Sequence, residues 1–454
     1  MPAAPPPRPG WRDGIRFVVH SPTVMWAAFV LTHLWLGFVN LQGPGLPLGD
    51  VTIEYQKWAM QADYATFYVG IDSAWVYPIV ALIPMIVAGV FGFANYASAW
   101  LGLVFVLDLV AFGAMVGWRR TGTPSHARAT VIGWWWIAFL LLLGPIALGR
   151  IDSITIPVAI VAVLFLATRP RLAAFLLAIA TWIKVWPAAI IAAVLIASRA
   201  RAKVIFISAL TSAAIVAIAL VLGSGGNVFS FVTQQTGRAL QVEAPISTIW
   251  MWLSVGHIGG SYDYYDGAIN TFEVTGPGAP IVAGLMTPIL GLVVVAVAVF
   301  GIVAVRRGAP VTELLAPLSL VFVTAFIAFN KVGSPQYITW IAVPIILGLA
   351  TNVMGHGRSF RAPAIGALAI AGLTQVIYPY LYTSLLNLNP IMLIVLSARN
   401  VGVFVLLGWG IAQLWQLSRP FVNHERLGAS DAWLPTVWPF GERAEHDQAA
   451  VSED

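Results

Sequence analysis

Long apolar runs, separated by short polar stretches, make up most of this chain of 454 residues. Such runs recur from Ser21 to the 410s. A run of about 18 residues or more is long enough to cross about 30 Å of hydrocarbon as an α-helix. The pattern therefore predicts an all-α polytopic membrane protein, in which each span pairs its backbone polar groups internally.

The composition agrees with this prediction. Only 9% of the residues are charged and 59% are hydrophobic, whereas roughly a quarter of the residues of a soluble domain are charged. The chain has no cysteine, which excludes disulfides, thiol chemistry and thiolate metal sites. The first apolar run follows Arg8, Arg12 and Arg16 and has no small-residue cleavage site, so we expect a signal anchor.

The basic residues predict the orientation, because Lys and Arg collect on the cytoplasmic side of membrane proteins. Most of the 24 cations fall in clusters between the apolar runs. If every cluster faces the cytoplasm, the chain crosses about twelve times and has both termini in the cytoplasm. The predicted spans are 21–41, 96–118, 130–148, 153–168, 172–183, 187–198, 203–222, 281–305, 311–329, 337–351, 362–380 and 391–416.

One region departs from this simple pairing. Residues 76–92 and 96–118 must together make one crossing, and 76–92 is interrupted by prolines and glycines. We therefore expect 76–92 to be a re-entrant or juxtamembrane helix on the outer side. The alternative is two full spans there, with 172–198 as one bent helix.

The predicted domains follow from these spans. They are a cytoplasmic tail at 1–20, a transmembrane module at 21–222 with an outer loop at 42–75 and the juxtamembrane helix at 76–92, an outer loop at 223–280, C-terminal helices at 281–416, and a cytoplasmic tail at 417–454. The last of these has the composition of a disordered segment. The two outer loops hold eight of the nine acidic residues that this topology places on the outer side.

Several ionisable residues lie near the predicted outer edge of the membrane. Charged groups are costly there, and they indicate function by default. Asp50 comes directly after the first span, and four cations are placed at or near the same edge. These cations are Arg150, Lys184, Arg238 and Lys331.

Each of these residues also has a purely structural interpretation. Asp50 would be only the N-cap of a short amphipathic helix. Arg150 and Asp152, in the sequence "GRID", would neutralise each other as a surface pair of little energetic value. Lys184, in "TWIKVWP", would extend its ammonium to the membrane surface.

The remaining polar stretches have similar alternatives. The stretch with Gln241 and Glu243, "GRALQVE", would be a solvated loop. "FNKVGSPQYITW" would be a polar link between two spans, with glycine and proline as the helix break. A simple link, however, requires neither a lysine nor Gln336 and Tyr337 at the start of the next span, so we favour a functional role.

Together the residues suit glycosyl transfer from a lipid-phosphate sugar. A carboxylate acts as a general base on a hydroxyl group. Cations stabilise a leaving phosphate, whose negative charge grows as the glycosidic bond breaks. A lipid tail in the bilayer would place the donor phosphate at the membrane edge, where these cations are expected.

The same residues resemble a known family. Gly49-Asp50, Tyr77-Pro78, "GRID" at 149–152, "IKVWP" at 183–187 and "NKVGSPQY" at 330–337 are similar to motifs of the GT-C membrane glycosyltransferases. The resemblance covers about 20 to 415 and is closest to glycosyltransferase family 87, the polyprenyl-phosphate-mannose-dependent mannosyltransferases of actinobacterial cell envelopes. The "NKVGSPQYITW" stretch is also similar to that of the catalytic subunit of GPI mannosyltransferase I.

The resemblance implies a GT-C fold with about twelve transmembrane helices, whose first loop lies on the outer side and carries juxtamembrane helices. It assigns the essential aspartate of that loop to Asp50. Asp152 matches an acidic position of the related oligosaccharyltransferases. The chain departs from the family at Gly149-Arg150, where several members have a glycine-glutamine pair. This departure bears on which acceptor and which sugar the chain uses.

We therefore expect an inverting glycosyltransferase with Asp50 as its general base. Lys331, Arg150, Lys184 and Arg238 would bind the donor phosphate. The residues expected to bind the sugar or the acceptor are Asp152, Glu243, Gln336, Tyr337, Gln241 and Glu54.

The expected partners are a polyprenyl-phosphate sugar donor, a glycolipid or polysaccharide acceptor and membrane lipids, with no nucleic acid. No metal is expected to be required, although the acidic residues do not exclude a divalent ion. We place the protein in the cytoplasmic membrane with its site outside. The alternatives are a transporter or flippase of lipid-linked sugars, and a structural partner of an envelope complex. Transporters commonly show internal repeats and binding near the midplane, and this sequence shows neither.

Overall fold

A computed structural model describes residues 21–117, 124–234 and 237–419 of the chain. The predicted tail at 1–20 and nearly all of the predicted tail at 417–454 lie outside the described residues. Helices form most of the described chain, and their lengths follow the apolar runs. The chain is an all-α polytopic membrane protein, as predicted, with one small sheet added.

The helices are numbered in chain order. They are α1 Pro22–Gln42, α2 Gln56–Tyr64, α3 Leu82–Ala88, α4 Tyr96–Val116, α5 Pro124–Leu143, α6 Asp152–Phe165, α7 Pro170–Ile183, α8 Ala188–Ala197, α9 Arg201–Val221, α10 Ser230–Thr233, α11 Thr248–Val255, α12 Ala279–Arg306, α13 Val311–Ala328, α14 Ala342–Val353, α15 Arg361–Gln375, α16 Tyr382–Leu386 and α17 Pro390–Leu417. The π-helical turns are Asp50–Tyr55 and Val376–Tyr380. The 3₁₀ turns are Ile79–Ala81, Phe93–Asn95, Gly144–Ala147, Gly225–Phe229, Pro245–Ser247, Ile258–Gly260 and Pro335–Ile341.

Nine helical segments of the described chain are long and apolar enough to cross a membrane. Three of the predicted spans correspond instead to the shorter helices α6, α7 and α8, which have 14, 14 and 10 residues. A crossing takes about 20 helical residues. The predicted total of about twelve crossings therefore depends on these three helices and remains a prediction.

The region predicted to be juxtamembrane contains only a short apolar helix, Ile79–Ala88. At about 1.5 Å per residue this segment is too short for a full crossing. The chain also breaks between α7 and α8, where Lys184 adopts an extended conformation. The alternative of two full spans here, with one bent helix over 172–198, does not match these boundaries.

A three-stranded antiparallel sheet lies in the second loop region, which the sequence analysis treated as loop. Its strands are β1 Leu240–Gln241, β2 Tyr262–Asp266 and β3 Thr271–Thr275, in the order β1-β3-β2. Strands β2 and β3 form a hairpin in which Tyr265 pairs with Phe272. Its sequence has an Asp-Gly turn between stretches rich in aromatic and β-branched residues, which is a typical hairpin signal.

The core of the bundle is formed by α13, α14 and the Pro335–Ile341 turn before α14, which are almost entirely buried. Helices α9 and α12 are mostly exposed, and each is apolar on all sides. An all-round apolar helix with an exposed surface is suited to contact lipid. The segment that contains Lys331, Gln336 and Tyr337 lies between the buried helices α13 and α14 and joins them.

One buried hydrogen-bonded pair of side chains joins α1 to α4. His33 Nε2 lies 3.0 Å from Asp108 Oδ2, and His33 Nδ1 lies 3.0 Å from the carbonyl oxygen of Phe29. Both side chains are buried, at 5% and 3% exposure. Asp108, which stands in an apolar run of the sequence, thus has a partner in His33.

Replacing His33 by leucine is expected to destabilise the protein, because Asp108 would remain buried without its partner. Removal of one member of a buried pair typically costs about 3–5 kcal/mol. The measurement is the fraction of detergent-solubilised protein that stays monodisperse after heating. Leu31→Ala, at an exposed position of the same helix, is the control and should have a small effect. The double variant His33→Leu/Asp108→Leu should regain stability; if it is no more stable than His33→Leu, the pair is not the cause.

Candidate functional site

The polar residues predicted to be functional meet at one end of the helix bundle. The loop after α1, the turns that precede α6 and follow α7, strand β1 and the break between α13 and α14 all come together there. Ion pairs, hydrogen bonds and ring contacts between these segments define the site. Its residues come from parts of the chain that are far apart in sequence.

Asp50 and Arg150 form an ion pair at the centre of this end. Arg150 Nε lies 3.0 Å from Asp50 Oδ2, and the Asp50 side chain is 41% exposed while that of Arg150 is 8% exposed. The N-cap of the π-helical turn is Gly49, and Asp50 contributes no capping bond. Asp50 is thus directed at the arginine and does not serve as the cap.

The guanidinium of Arg150 also donates hydrogen bonds to three other groups. Its Nη1 donates to the carbonyl oxygens of Pro47 and Gly149, and its Nη2 donates to the Tyr378 hydroxyl at 2.9 Å. A side-chain carbon at Gly149 would come 2.7 Å from the carbonyl oxygen of Pro47. Glycine at that position therefore allows the close approach that the arginine bonds require.

Lys184 and Asp152 form a second charged pair. Lys184 Nζ lies 3.8 Å from Asp152 Oδ2, and the indole Nε1 of Trp340 donates to Asp152 Oδ1 at 2.6 Å. The Lys184 ammonium also lies over the rings of Tyr77 and Tyr337, at 4.7 and 5.6 Å from their centroids. The alternative that Lys184 only extends toward the surface does not fit this enclosure.

The pairing of Arg150 with Asp152, considered from "GRID", is wrong. Arg150 contacts Asp50, while Asp152 opens helix α6 and contacts Lys184. Both residues are buried, at 7% and 1% exposure, so neither belongs to a solvated surface pair.

Strand β1 and the segment after α13 lie side by side. The backbone N–H of Gln241 donates to the carbonyl oxygen of Lys331, and the N–H of Gly333 donates to Gln241 Oε1. Gln241 and Glu243 are 8% and 2% exposed. The alternative of a solvated loop is therefore wrong for these two residues.

Gly333 has a different role from the predicted helix break. Helix α13 already ends at Ala328, and Pro335 begins the following 3₁₀ turn. A side-chain carbon at Gly333 would overlap the backbone of Glu243 and Ala244. Glycine is needed because the two backbones approach so closely.

Glu243 is a buried carboxyl group. Its Oε2 accepts hydrogen bonds from Gln241 Nε2 at 3.0 Å and from the Tyr382 hydroxyl at 3.3 Å, whereas its Oε1 has no hydrogen-bond partner among the described residues. Burial raises the pKa of Glu243 to about 7, and the charges of Arg399 and Arg150 oppose the shift.

Arg399, which the sequence left without a role, holds the two segments together. Its Nη1 donates to the carbonyl oxygen of Glu243 at 3.2 Å, and its Nη2 donates to that of Gly333 at 3.1 Å. It lies inside α17 at 1% exposure. A buried guanidinium of this kind needs acceptors from the protein, and here the backbone provides them.

Lys331 and Arg238 are close to each other and to Glu273. Burial lowers the pKa of the Lys331 ammonium, the Glu273 carboxylate opposes this shift, and Arg238 adds to it. Arg238 also acts on the charge of Lys184. Arg238 thus lies within electrostatic reach of both Lys184 and Lys331.

The other predicted residues occupy the edges of the site. Glu54 Oε1 accepts a hydrogen bond of 2.8 Å from Asn270 at the tip of the hairpin. Gln336 is buried, and no described residue donates a hydrogen bond to its Oε1. Tyr337 stacks on Trp340 at a centroid distance of 4.1 Å.

Sequence reasoning missed Tyr378 and Tyr382, which contact Arg150 and Glu243. Their signal is the stretch "YPYLY" at 378–382, which is dense in tyrosine at the end of a predicted span. It resembles the Tyr77-Pro78 pair, which is one of the motifs similar to those of the GT-C family.

Two further features concern possible ligands elsewhere. Among the described residues, no three His, Asp or Glu side chains come together in a way that would hold a metal ion. A cavity of about 680 Å³ lies between α12 and the end of α17, well along that helix from Arg399. Its lining is Phe300, Gly408, Ile411, Ala412, Trp415, Gln416 and Arg419.

Comparisons with known proteins identify a family whose model matches this chain. The model of glycosyltransferase family 87 matches residues 75–330, which include Arg150, Lys184 and Glu243 but not Asp50. Among solved structures, the chain is similar to the apo crystal structure of ArnT from Cupriavidus metallidurans, with 13% identity and a TM-score of 0.40. That match covers 88% of this chain and 78% of ArnT. No curated protein matches the sequence.

The raised pKa of Glu243 predicts that stability depends on pH. Its folded-state pKa of about 7 lies above the ordinary value of 4.5, so the folded chain retains a proton that the unfolded chain releases. The stabilisation is therefore present at low pH and lost as the pH rises through about 7.

We expect the wild type to unfold at a lower temperature at about pH 8 than at about pH 5.5. Glu243→Gln should reduce this difference, because the amide does not titrate. Thermal unfolding in detergent at both pH values measures it, with Asp63→Asn, at an exposed position, as a control that keeps the wild-type difference. An unchanged difference in Glu243→Gln would assign the titration to another group.

Proposed function

Since the chain belongs to glycosyltransferase family 87, we propose that it is an inverting enzyme that transfers mannose from a polyprenyl phosphate. The acceptor would be a glycolipid or lipid-anchored polysaccharide of the cell envelope. The observation that carries the proposal is the Asp50–Arg150 pair, in which a half-exposed carboxylate is fixed by a buried arginine. Buried cations lie at the same end of the bundle.

Asp50 is suited to act as the general base on the acceptor hydroxyl. Arg150 Nε lies 3.0 Å from its Oδ2, which fixes the orientation of the carboxylate. The second oxygen has no hydrogen-bond partner among the described residues. It would accept the proton as the hydroxyl oxygen attacks the anomeric carbon, and proton transfer by a positioned group typically contributes about 10²–10⁴-fold to the rate.

Lys184, Lys331 and Arg238 are suited to bind the donor phosphate. Arg238 acts on the charges of both lysines, and like charges repel, so an anion bound between these groups would be stabilised. As the glycosidic bond breaks, the phosphate gains negative charge that these groups neutralise. We propose that these side-chain cations neutralise the phosphate charge and that transfer needs no metal ion.

Arg150 differs from the other predicted phosphate ligands. Its guanidinium has five N–H donors in all. Hydrogen bonds to Pro47, Gly149 and Tyr378, together with the ion pair to Asp50, occupy most of them. We therefore propose that Arg150 positions Asp50.

The sugar hydroxyls would be bound by the polar side chains around these groups. Glu243 Oε1 and Gln336 Oε1 are buried acceptors that have no partner within the described part of the chain, and sugar hydroxyls would donate to them. Asp152, Gln241, Tyr337 and Glu54 complete the predicted set. A single displacement at the anomeric carbon would convert a β-linked phosphomannose into an α-mannoside.

The distribution of basic residues supports an outward-facing site. With the basic clusters in the cytoplasm, the first loop and the hairpin would lie outside the cytoplasmic membrane. Both termini would then be cytoplasmic. A donor anchored by its polyprenyl tail would reach the cations from within the bilayer.

Asp50→Asn is expected to reduce transfer by about 10²–10⁴-fold, because the amide cannot accept the proton. The measurement is labelled product from purified protein, radiolabelled polyprenyl-phosphomannose and a membrane lipid extract. Asp63→Asn, at an exposed position of the same loop, should retain activity. Equal product from wild type and Asp50→Asn would remove Asp50 as the base. If the wild type makes no product from several donors, a transporter or flippase of lipid-linked sugars becomes the better account.

Lys331→Ala is expected to raise the KM for the donor. A hydrogen bond to a charged group contributes about 1.5–3 kcal/mol, which corresponds to a tenfold or larger change. The KM for the acceptor should change little, and Lys57→Ala, at an exposed lysine of the first loop, should match the wild type. An unchanged donor affinity would exclude Lys331 from the phosphate site.

A further inference from the structure

Four aromatic rings form a continuous strip from the hairpin to the Asp50–Arg150 pair. Tyr265 and Phe272 have ring centroids 5.0 Å apart, Phe272 and Tyr382 6.0 Å, and Tyr382 and Tyr378 5.4 Å. At the inner end, the Tyr378 hydroxyl accepts a hydrogen bond from Arg150. We call these four residues the aromatic strip.

The strip lies at the edge of a buried apolar cluster, against which Phe272, Tyr378 and Tyr382 pack. Tyr265 is 54% exposed, and the other three rings are half-buried. Large aromatic side chains that serve only packing are normally covered by the groups around them. Here the outer ring faces solvent, and successive rings lead toward the candidate base.

Polar groups accompany the rings along this path. The Tyr265 hydroxyl donates to Asn270 Oδ1, and Asn270 Nδ2 donates to Glu54. The Tyr382 hydroxyl donates to Glu243. The strip therefore offers apolar ring faces together with hydroxyl, amide and carboxylate groups at its edges.

This combination matches the chemistry of a neutral saccharide. A pyranose has an apolar C–H face that stacks on an aromatic ring, and hydroxyl groups around its rim that bond to carboxylates and amides. The ring spacing is comparable with the length of one sugar residue. Asp263 and Asp266 add negative charge beside the outer end, which disfavours an anionic ligand.

We propose that the aromatic strip is an acceptor subsite that binds a neutral oligosaccharide of several pyranose residues. The saccharide would extend outward from Asp50 along Tyr378, Tyr382 and Phe272 to Tyr265. This inference rests on the proposed function, since Asp50 sets the end at which transfer occurs. It adds that the acceptor is recognised over several sugar residues.

Strand geometry supplies a matched control for Tyr265. Side chains alternate between the two faces of a strand, so Tyr262 and Tyr265 of β2 point to opposite faces. They are almost equally exposed, at 56% and 54%. Tyr262 pairs with Thr275, whereas Tyr265 pairs with Phe272 of the strip.

The test measures binding without turnover. The full chain with Asp50→Asn is studied in detergent by saturation-transfer NMR against α-linked manno- and gluco-oligosaccharides, from the monosaccharide to the pentasaccharide. Affinity for at least one series should increase with length. Adding Tyr265→Ala should lower affinity for the pentasaccharide about fivefold and leave the monosaccharide unaffected. Tyr265→Phe and Tyr262→Ala should retain the dependence on length.

Two results would overturn the subsite. One is affinity that does not increase with length in either series, and the other is an equal loss in Tyr262→Ala and Tyr265→Ala. The proposed function is tested separately by transfer. If the wild type transfers no sugar but binding still depends on length and on Tyr265, the subsite stands and the catalytic assignment falls. If the wild type transfers sugar but binding ignores length, the subsite alone falls.

Discussion

Arg150 is buried, and a buried guanidinium without hydrogen bonds would cost several kcal/mol. Hydrogen bonds and an ion pair within the site offset this cost. Pro47, Gly149 and Tyr378 supply oxygen acceptors, and Asp50 supplies the opposing charge. Through this one side chain, the first loop, the turn before α6 and the turn after α15 are fixed relative to one another. The groups that bond to Arg150 therefore also determine the orientation of Asp50, the candidate base.

The same constraint recurs at two other places. Arg399 joins the backbones at Glu243 and Gly333, and His33 meets Asp108 between α1 and α4. Buried charged pairs contribute little net stability, because desolvation offsets the attraction. They do penalise any arrangement that leaves a charge unpaired. We therefore interpret them as groups that select one packing of the loops and helices over competing ones.

The sequence predicts the membrane class and most of the site segments, because apolar runs and charges near their ends are local signals. It does not predict partners that lie far apart. Arg150 and Asp152 are neighbours in "GRID", yet Arg150 bonds to residues 103 and 228 positions away. Asp152 opens a helix and faces Trp340 instead. The hairpin was missed because alternation over five residues is a weak signal beside spans of twenty.

Hydrogen-bond geometry also separates the roles of the cations. Lys184 Nζ lies 3.8 Å from Asp152 Oδ2. At this distance the carboxylate balances the charge of the ammonium, but the separation exceeds that of a normal hydrogen bond. Its other close neighbours are the rings of Tyr77 and Tyr337, whose faces attract the ammonium without taking specific N–H bonds. An arriving phosphate would therefore gain hydrogen bonds from Lys184 without breaking any. At Arg150 it would have to displace existing bonds that hold Asp50 in place. A lysine among aromatic rings is thus the better phosphate ligand, and the arginine, most of whose donors are occupied, is the better support for the base.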